Sequence, residues 1–214
     1  MIVPVLKALT DFGDAALLLP MSLLLAIVLA YRHSLKAGGL WLMTLALCLT
    51  GMAMLKVMGF ACGRELFGSS VVSPSGHAAF SATFYGALAV IAHRQFAGWR
   101  RIGIPLALCG VVVAVVMTRV LLGNHSKAEA LLGLAMGSVS VALFAWRFRS
   151  LAQVPLRLRA EAFAFVLLLV LLHGERLHAE RFLKHIALQV RERADVCLPP
   201  AKAGEMTRFA SWTA

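Results

Sequence analysis

Five long apolar stretches separated by short polar segments set the pattern of this chain, running approximately from Ala15 to Tyr31, Gly38 to Phe60, Gly76 to Ala92, Ile102 to Leu122 and Ala128 to Trp146. Each suits a helix crossing a bilayer core of about 30 Å, which takes roughly 20 residues, because a helix satisfies its backbone polar groups within the segment. A sixth stretch, Ala160 to Leu172, is as apolar but shorter. It reads as a tilted span, a half-inserted helix or the first arm of a hairpin. The predicted fold class is therefore all-α, an integral membrane helical bundle of about six transmembrane helices. Residues 1–14 read as an interfacial segment feeding the first span; their only basic residue is Lys7, and no cleaved secretory signal is expected. After His173 the pattern changes. Glu175 to Arg193 places Leu177, Phe182, Ile186 and Val190 near one helical face, and the stretch with Pro199, Pro200 and Gly204 reads as a flexible tail. The expected organisation is an N-terminal segment 1–14, a bundle 15–173 and a C-terminal helix with tail 174–214.

Composition sharpens this picture. Of 214 residues, 60% are hydrophobic and 14% charged, against about half and a quarter in soluble domains. A soluble globular enzyme and a disordered chain are both excluded. A formal net charge of +11 would suggest nucleic acid in a soluble protein, but its distribution points elsewhere. Nine basic residues fall in three alternate loops: Arg32 and Lys36; Arg94, Arg100 and Arg101; Arg147, Arg149, Arg157 and Arg159. The positive-inside rule makes these loops cytoplasmic, and puts Gly63 to Ser75 and Gly123 to Lys127 on the opposite side. No nucleic-acid partner is expected. The cysteines Cys48, Cys62, Cys109 and Cys197 form no CxxC pair and suggest neither a zinc site nor a disulfide framework. Cys48 and Cys109, inside apolar runs, read as small buried hydrophobes.

Chemistry gathers at the outward span ends. One cluster is Lys56 with Arg64, a second is Ser73-Pro74-Ser75-Gly76-His77, and a third is Thr118-Arg119 with His125 and Glu129. Ionisable groups at membrane depth are costly and mark function by default. Cations together with main-chain N–H groups at a helix start opened by Pro74-Ser75-Gly76 suit a phosphoryl group and the charge that develops on its oxygens. His125 and Glu129 are spaced i and i+4, so the carboxylate can hold one ring nitrogen and leave the other as a nucleophile. His77 is then free to act as a general acid. The bland alternative for an isolated PSGH is a helix start capped by Ser75. His33, His93, His173, His178 and His185 fit interfacial roles better than metal binding; no HxxxH or HExxH pattern is present, and no metal or cofactor is expected. Trp41, Trp99 and Trp146 read as interfacial anchors.

These motifs resemble the type 2 phosphatidic acid phosphatase (PAP2) superfamily, membrane lipid phosphatases related to vanadium haloperoxidases. The resemblance rests on Pro74 to His77, the preceding Lys–Arg pair, and the Arg-x5-His-x3-acid cluster, running from Lys56 to about Gly137. It implies a helical bundle with its site at the outer membrane surface and metal-independent hydrolysis through a phosphohistidine. By this likeness His125 is the nucleophile, Glu129 the acid that orients it, and His77 the proton donor to the leaving oxygen. Lys56, Arg64 and Arg119 are phosphate-binding cations, and Ser75 and Gly76 supply hydroxyl and main-chain donors. Seven residues separate Lys56 from Arg64 where the family has six, and Glu65 stands in place of a proline. Thr118 replaces a serine, and Glu129 replaces an aspartate, its extra methylene to be absorbed by a shift of the His125 ring.

The implied activity is removal of a terminal phosphate from a lipid phosphate or diphosphate, of the undecaprenyl diphosphate, phosphatidic acid, phosphatidylglycerophosphate or lipid A type. Two alternatives stand beside it: a lipid phosphotransferase using the same phosphohistidine, and a non-catalytic lipid-binding or transport protein. The expected partners are membrane lipids and the lipid phosphate, with no obligate protein partner. A bacterial inner membrane is the expected location, with the site facing the periplasm or exterior.

Overall fold

The computed structural model describes residues 2–66, 73–151, 159–174 and 179–194. The described residues form α1 (Ile2–Asp11), α2 (Ala15–Arg32), α3 (Leu35–Leu66), α4 (Gly76–Gln95), α5 (Arg100–Leu121), α6 (Lys127–Phe148), α7 (Arg159–Leu172) and α8 (Ala179–Ala194), with no strand among them. The all-α membrane bundle is borne out. Among the described residues, four stretches are long and apolar enough to cross a membrane: Val3–Arg32, Leu35–Cys62, Arg100–Leu121 and Lys127–Phe148. The first joins α1 to α2 and so extends into residues read above as interfacial.

The other two expected spans miss that standard for different physical reasons. α4 is the central helix, packed on α5, α6, α3 and α2. Its small and hydroxyl side chains, including Ala78, Ala79, Ser81, Ala82, Thr83 and Ala87, are buried against neighbouring helices, so it need not be strongly apolar to avoid lipid. Contact that close requires small residues on the facing helix too. On α6, a Cβ at Gly133 would run into the Ser75 carbonyl, and one at Gly137 into that of Ala79. α7 is apolar but has only 14 residues, which rise about 21 Å. It packs on α2.

The core lies between α2, α3, α4 and α6. Trp41 is fully buried, donates its indole N–H to the Ser22 carbonyl at 2.8 Å, and meets Phe144 edge-on at 5.8 Å. It is a core residue, not the interfacial anchor expected from its position near a span end. At one end of the bundle the C-terminal ends of α2, α4 and α6 come together: the His33 ring lies 5.2 Å from that of Phe148, and Arg94 donates to the Phe148 carbonyl at 2.6 Å. These are the ends carrying the basic loops. α7 starts among those loops in sequence and finishes at the opposite end, where His173 meets Phe12 at 5.2 Å.

Two cysteine readings change. Cys62 is disulfide-bonded, so the expectation of no disulfide fails at that position; CxxC spacing reports only local pairs, whereas folding decides which distant thiols meet. Cys48 is buried as expected, but Cys109 is exposed, because α5 buries mainly Val112, Val115 and Thr118 and leaves its other faces open. α8 packs on α3. Its inward side is formed by Leu183, Ile186 and Ala187, with Val190 exposed, a face rotated from the expected one; Leu177, the side chain of Phe182 and the 195–214 tail lie outside the described residues.

Candidate active site

The site forms at the end opposite the basic loops, where α2, α4 and α6 begin. α3 delivers Lys56 to it. From Leu35 to Lys56 the helix rises about 32 Å, close to the thickness of a hydrocarbon core, so the ammonium emerges where a lipid headgroup would lie. Lys56 is 7% exposed and donates to the Ser73 hydroxyl at 3.1 Å. Its aliphatic stem passes the bare backbone of Gly76: a Cβ there would lie 3.5 Å from Lys56 Cε.

Glu129 organises the centre. It occupies the third position of α6, where a capping box is satisfied: Ser126 Oγ accepts from the Glu129 N–H and the carboxylate accepts from the Ser126 N–H. The same oxygen, Oε2, faces His125 Nδ1 at 3.2 Å. Oε1 accepts from the Ser73 N–H at 2.8 Å, and the Glu129 main-chain carbonyl accepts from the Ser75 N–H at 3.0 Å. One carboxylate thus reaches both His125 and the Ser73-Pro74-Ser75 turn.

With Nδ1 held by Glu129, Nε2 is the ring nitrogen left to meet a ligand in the pocket that His125 lines. Burial, the neighbouring Arg119 charge and, more weakly, Lys56 push His125 below the ordinary imidazole value, while Glu129 pulls it the other way. The ring consequently stays neutral to lower pH than a free imidazole does.

His77 lies at the second position of α4, with Nε2 3.3 Å from Asp14 Oδ2. A pocket brings together His77, His125, Lys56, Gly76 and Asp14, and continues along α3 through Ala53, Met52, Leu49 and Cys48 to Phe80, with Leu183 of α8 on its wall. Ser75 does not line it; it is fully buried as the N-cap of α4, accepting from the Ala78 N–H at 3.4 Å. Arg119 ends α5 beside the pocket and donates to Thr10 Oγ1 at 3.4 Å. Arg64 lies on α3, but its side chain is outside the described residues. Thr10 and Asp14 were missed in the sequence. The loop charges already put the start of α2 on the same side as His77, and an acid at the opening of an apolar span was the available signal.

The segment carrying this site is recognisable by comparison. Residues 49–152 match the sequence profile of the PAP2 superfamily. The resemblance noted in the motifs is borne out over that segment. A protein of the cps region of Klebsiella pneumoniae, described as an uncharacterized 22.5 kDa protein, is 33% identical over 141 residues, covering 62% of this chain and 64% of that relative. The match therefore spans less than two thirds of the relative's length. No solved structure matches the chain.

Proposed function

We propose that the protein is a membrane lipid phosphatase that removes a terminal phosphate through a phosphohistidine. The observation that carries the reading is the convergence of His125, His77 and Lys56 on one pocket whose wall, Asp14 apart, is otherwise apolar. His125 Nε2 attacks phosphorus in line, and the bond to the lipid oxygen breaks. Lys56, Arg119 and the Gly76 N–H balance the charge on the phosphoryl oxygens, whereas Ser75 acts through the cap that fixes the start of α4. His77 gives a proton to the leaving oxygen. A water molecule, giving its proton to His77, then displaces His125 from phosphorus.

The cavity, about 170 Å³, is smaller than pockets that enclose a whole drug-sized ligand, roughly 300–1,000 Å³. That size fits a phosphoryl group and its first carbons, with the tail left in the bilayer. The site then faces away from the cytoplasm, since the basic loops gather at the other end.

The test is phosphate release by detergent-purified protein from a panel of prenyl diphosphate, phosphatidic acid, phosphatidylglycerophosphate and lipid A phosphate. At least one substrate is turned over in the presence of EDTA, and His125→Ala abolishes turnover of all. Full activity of the His125→Ala protein, or EDTA inhibition reversed by magnesium or zinc, overturns the proposal.

A further inference from the structure

The turn between α1 and α2 is built into the site from outside the segment that matches the family. It is fastened at several points. Thr10 Oγ1 accepts from Arg119, the Phe12 carbonyl accepts from the Tyr85 hydroxyl at 2.9 Å, and Gly13 packs so closely on Val115 and the His77 Cβ that a side chain there would clash. Asp14 follows, its side chain 6% exposed. One carboxylate oxygen, Oδ1, accepts from the Ala16 N–H at 2.8 Å and caps α2; the other, Oδ2, faces His77 Nε2 at 3.3 Å.

From this geometry we infer that Asp14 is a positioning residue for proton transfer, fixing which nitrogen of His77 serves the leaving group. The inference rests on the phosphohistidine reading above. An ionised carboxylate only accepts hydrogen bonds, so the nitrogen facing it carries a hydrogen, and Nδ1 is the atom that exchanges a proton with substrate. In the first step the P–O bond breaks, its electron pair departs on the lipid oxygen, and the Nδ1 hydrogen of the protonated ring moves to that oxygen. The ring becomes neutral with Nε2–H still donated to Asp14. In the second step water gives its proton to Nδ1 as its oxygen bonds to phosphorus, and the P–N electron pair returns to His125. Asp14 holds the same tautomer through both steps, as a buried carboxylate behind a catalytic histidine does in hydrolases on unrelated folds.

Asparagine caps a helix as well as aspartate does. With its oxygen kept on Ala16, its NH₂ faces Nε2 and imposes the opposite tautomer. Serine keeps a cap and removes the contact. The experiment compares kcat/KM, which reports phosphoenzyme formation, for dodecyl phosphate, whose alkoxide must be protonated, and p-nitrophenyl phosphate, whose phenolate needs little help. For Asp14→Asn the expected loss is roughly 100-fold on the alkyl substrate, the low end of what a general acid contributes, and only roughly three- to fivefold on the aryl one, which draws little on it. For Asp14→Ser the alkyl loss is roughly 10-fold, again exceeding the aryl loss. Equal losses on both substrates for the variants that fold, or no alkyl loss, overturn the assignment. His125→Ala run alongside separates the two ideas: a dead His125→Ala protein with equal Asp14 losses sinks only the role of Asp14, whereas an active one sinks the reading beneath it.

Discussion

The two ends of the bundle hold their charged residues in opposite circumstances. At the site end, Asp14, Lys56 and Glu129 are 4%, 7% and 8% exposed, and polar groups from other helices or turns fix each of them. At the basic end, Arg32, Arg100 and Arg147 lie over the rings of Tyr31, Trp99 and Trp146 at 5.9, 5.8 and 4.7 Å, and those rings are themselves 86%, 76% and 51% exposed. A charge withdrawn from water must be held by partners or it destabilises the fold. One left on an exposed ring can move, and its position matters only for which side it is on. Net charge alone cannot distinguish the two; burial does.

The largest effect expected from breaking this contrast is at Glu129. Glu129→Gln removes the carboxylate behind His125 and should lower kcat by about 10⁴-fold, as loss of the correct histidine tautomer does elsewhere. Glu129→Asp should recover activity only in part, because a side chain one methylene shorter cannot serve both His125 and Ser73; phosphate release with wild-type kinetics would refute the two-oxygen role. Gly133→Val should drive a side chain into the Ser75 carbonyl and destabilise the protein by about 1–3 kcal/mol, read as a lower Tm in detergent. An unchanged Tm would mean that α4 and α6 can separate at no cost.

A smaller effect concerns pH. In the proposed mechanism the attacking ring must be neutral, and His125 is held below its ordinary value of 6.5. The acidic limb of kcat/KM should accordingly lie below that value, activity falling only as pH drops through the lowered one. Arg119→Met takes away a charge that lowers it, so the limb should move up toward 6.5 even as overall activity declines. A limb that stays in place would remove Arg119 from the electrostatics of the ring. The smallest effect belongs to the basic end. Arg147→Ala gives up one exposed cation–π contact, about 0.5–1 kcal/mol, and should leave kcat within about twofold, a general expectation for surface substitutions; a large loss would mean that the two ends are coupled.

Much of the site was legible because its elements are local. The His125–Glu129 pair is a one-turn helical spacing, and Pro74 to His77 is a helix start with its own cap. What the sequence concealed is contact between segments distant along the chain. Nothing near Asp14 announces His77, and nothing near Ser73 announces the carboxylate of Glu129. Fold class followed from hydropathy for the helices that face lipid. α7 fell short of that measure by its length and α4 by its composition, since a central helix answers to its neighbours and is chosen for smallness. Trp41 was misread for a related reason: proximity to a span end suggested an interface, but the turn from α2 to α3 folds it back against Phe84 and Phe144.

The hydrogen bonds from Ser73 and Ser75 to Glu129 also impose an order on assembly. They join chain segments made at different times, and α4 and α5 must both be threaded before the residue that receives those bonds exists. Until α6 docks on α4, the carboxylate is not clamped between its two partners and the histidine beside it has no fixed bearing on the PSGH turn. The aim of the imidazole is therefore a property of the finished bundle, and a partly inserted chain lacks the arrangement that the proposed phosphoryl transfer requires.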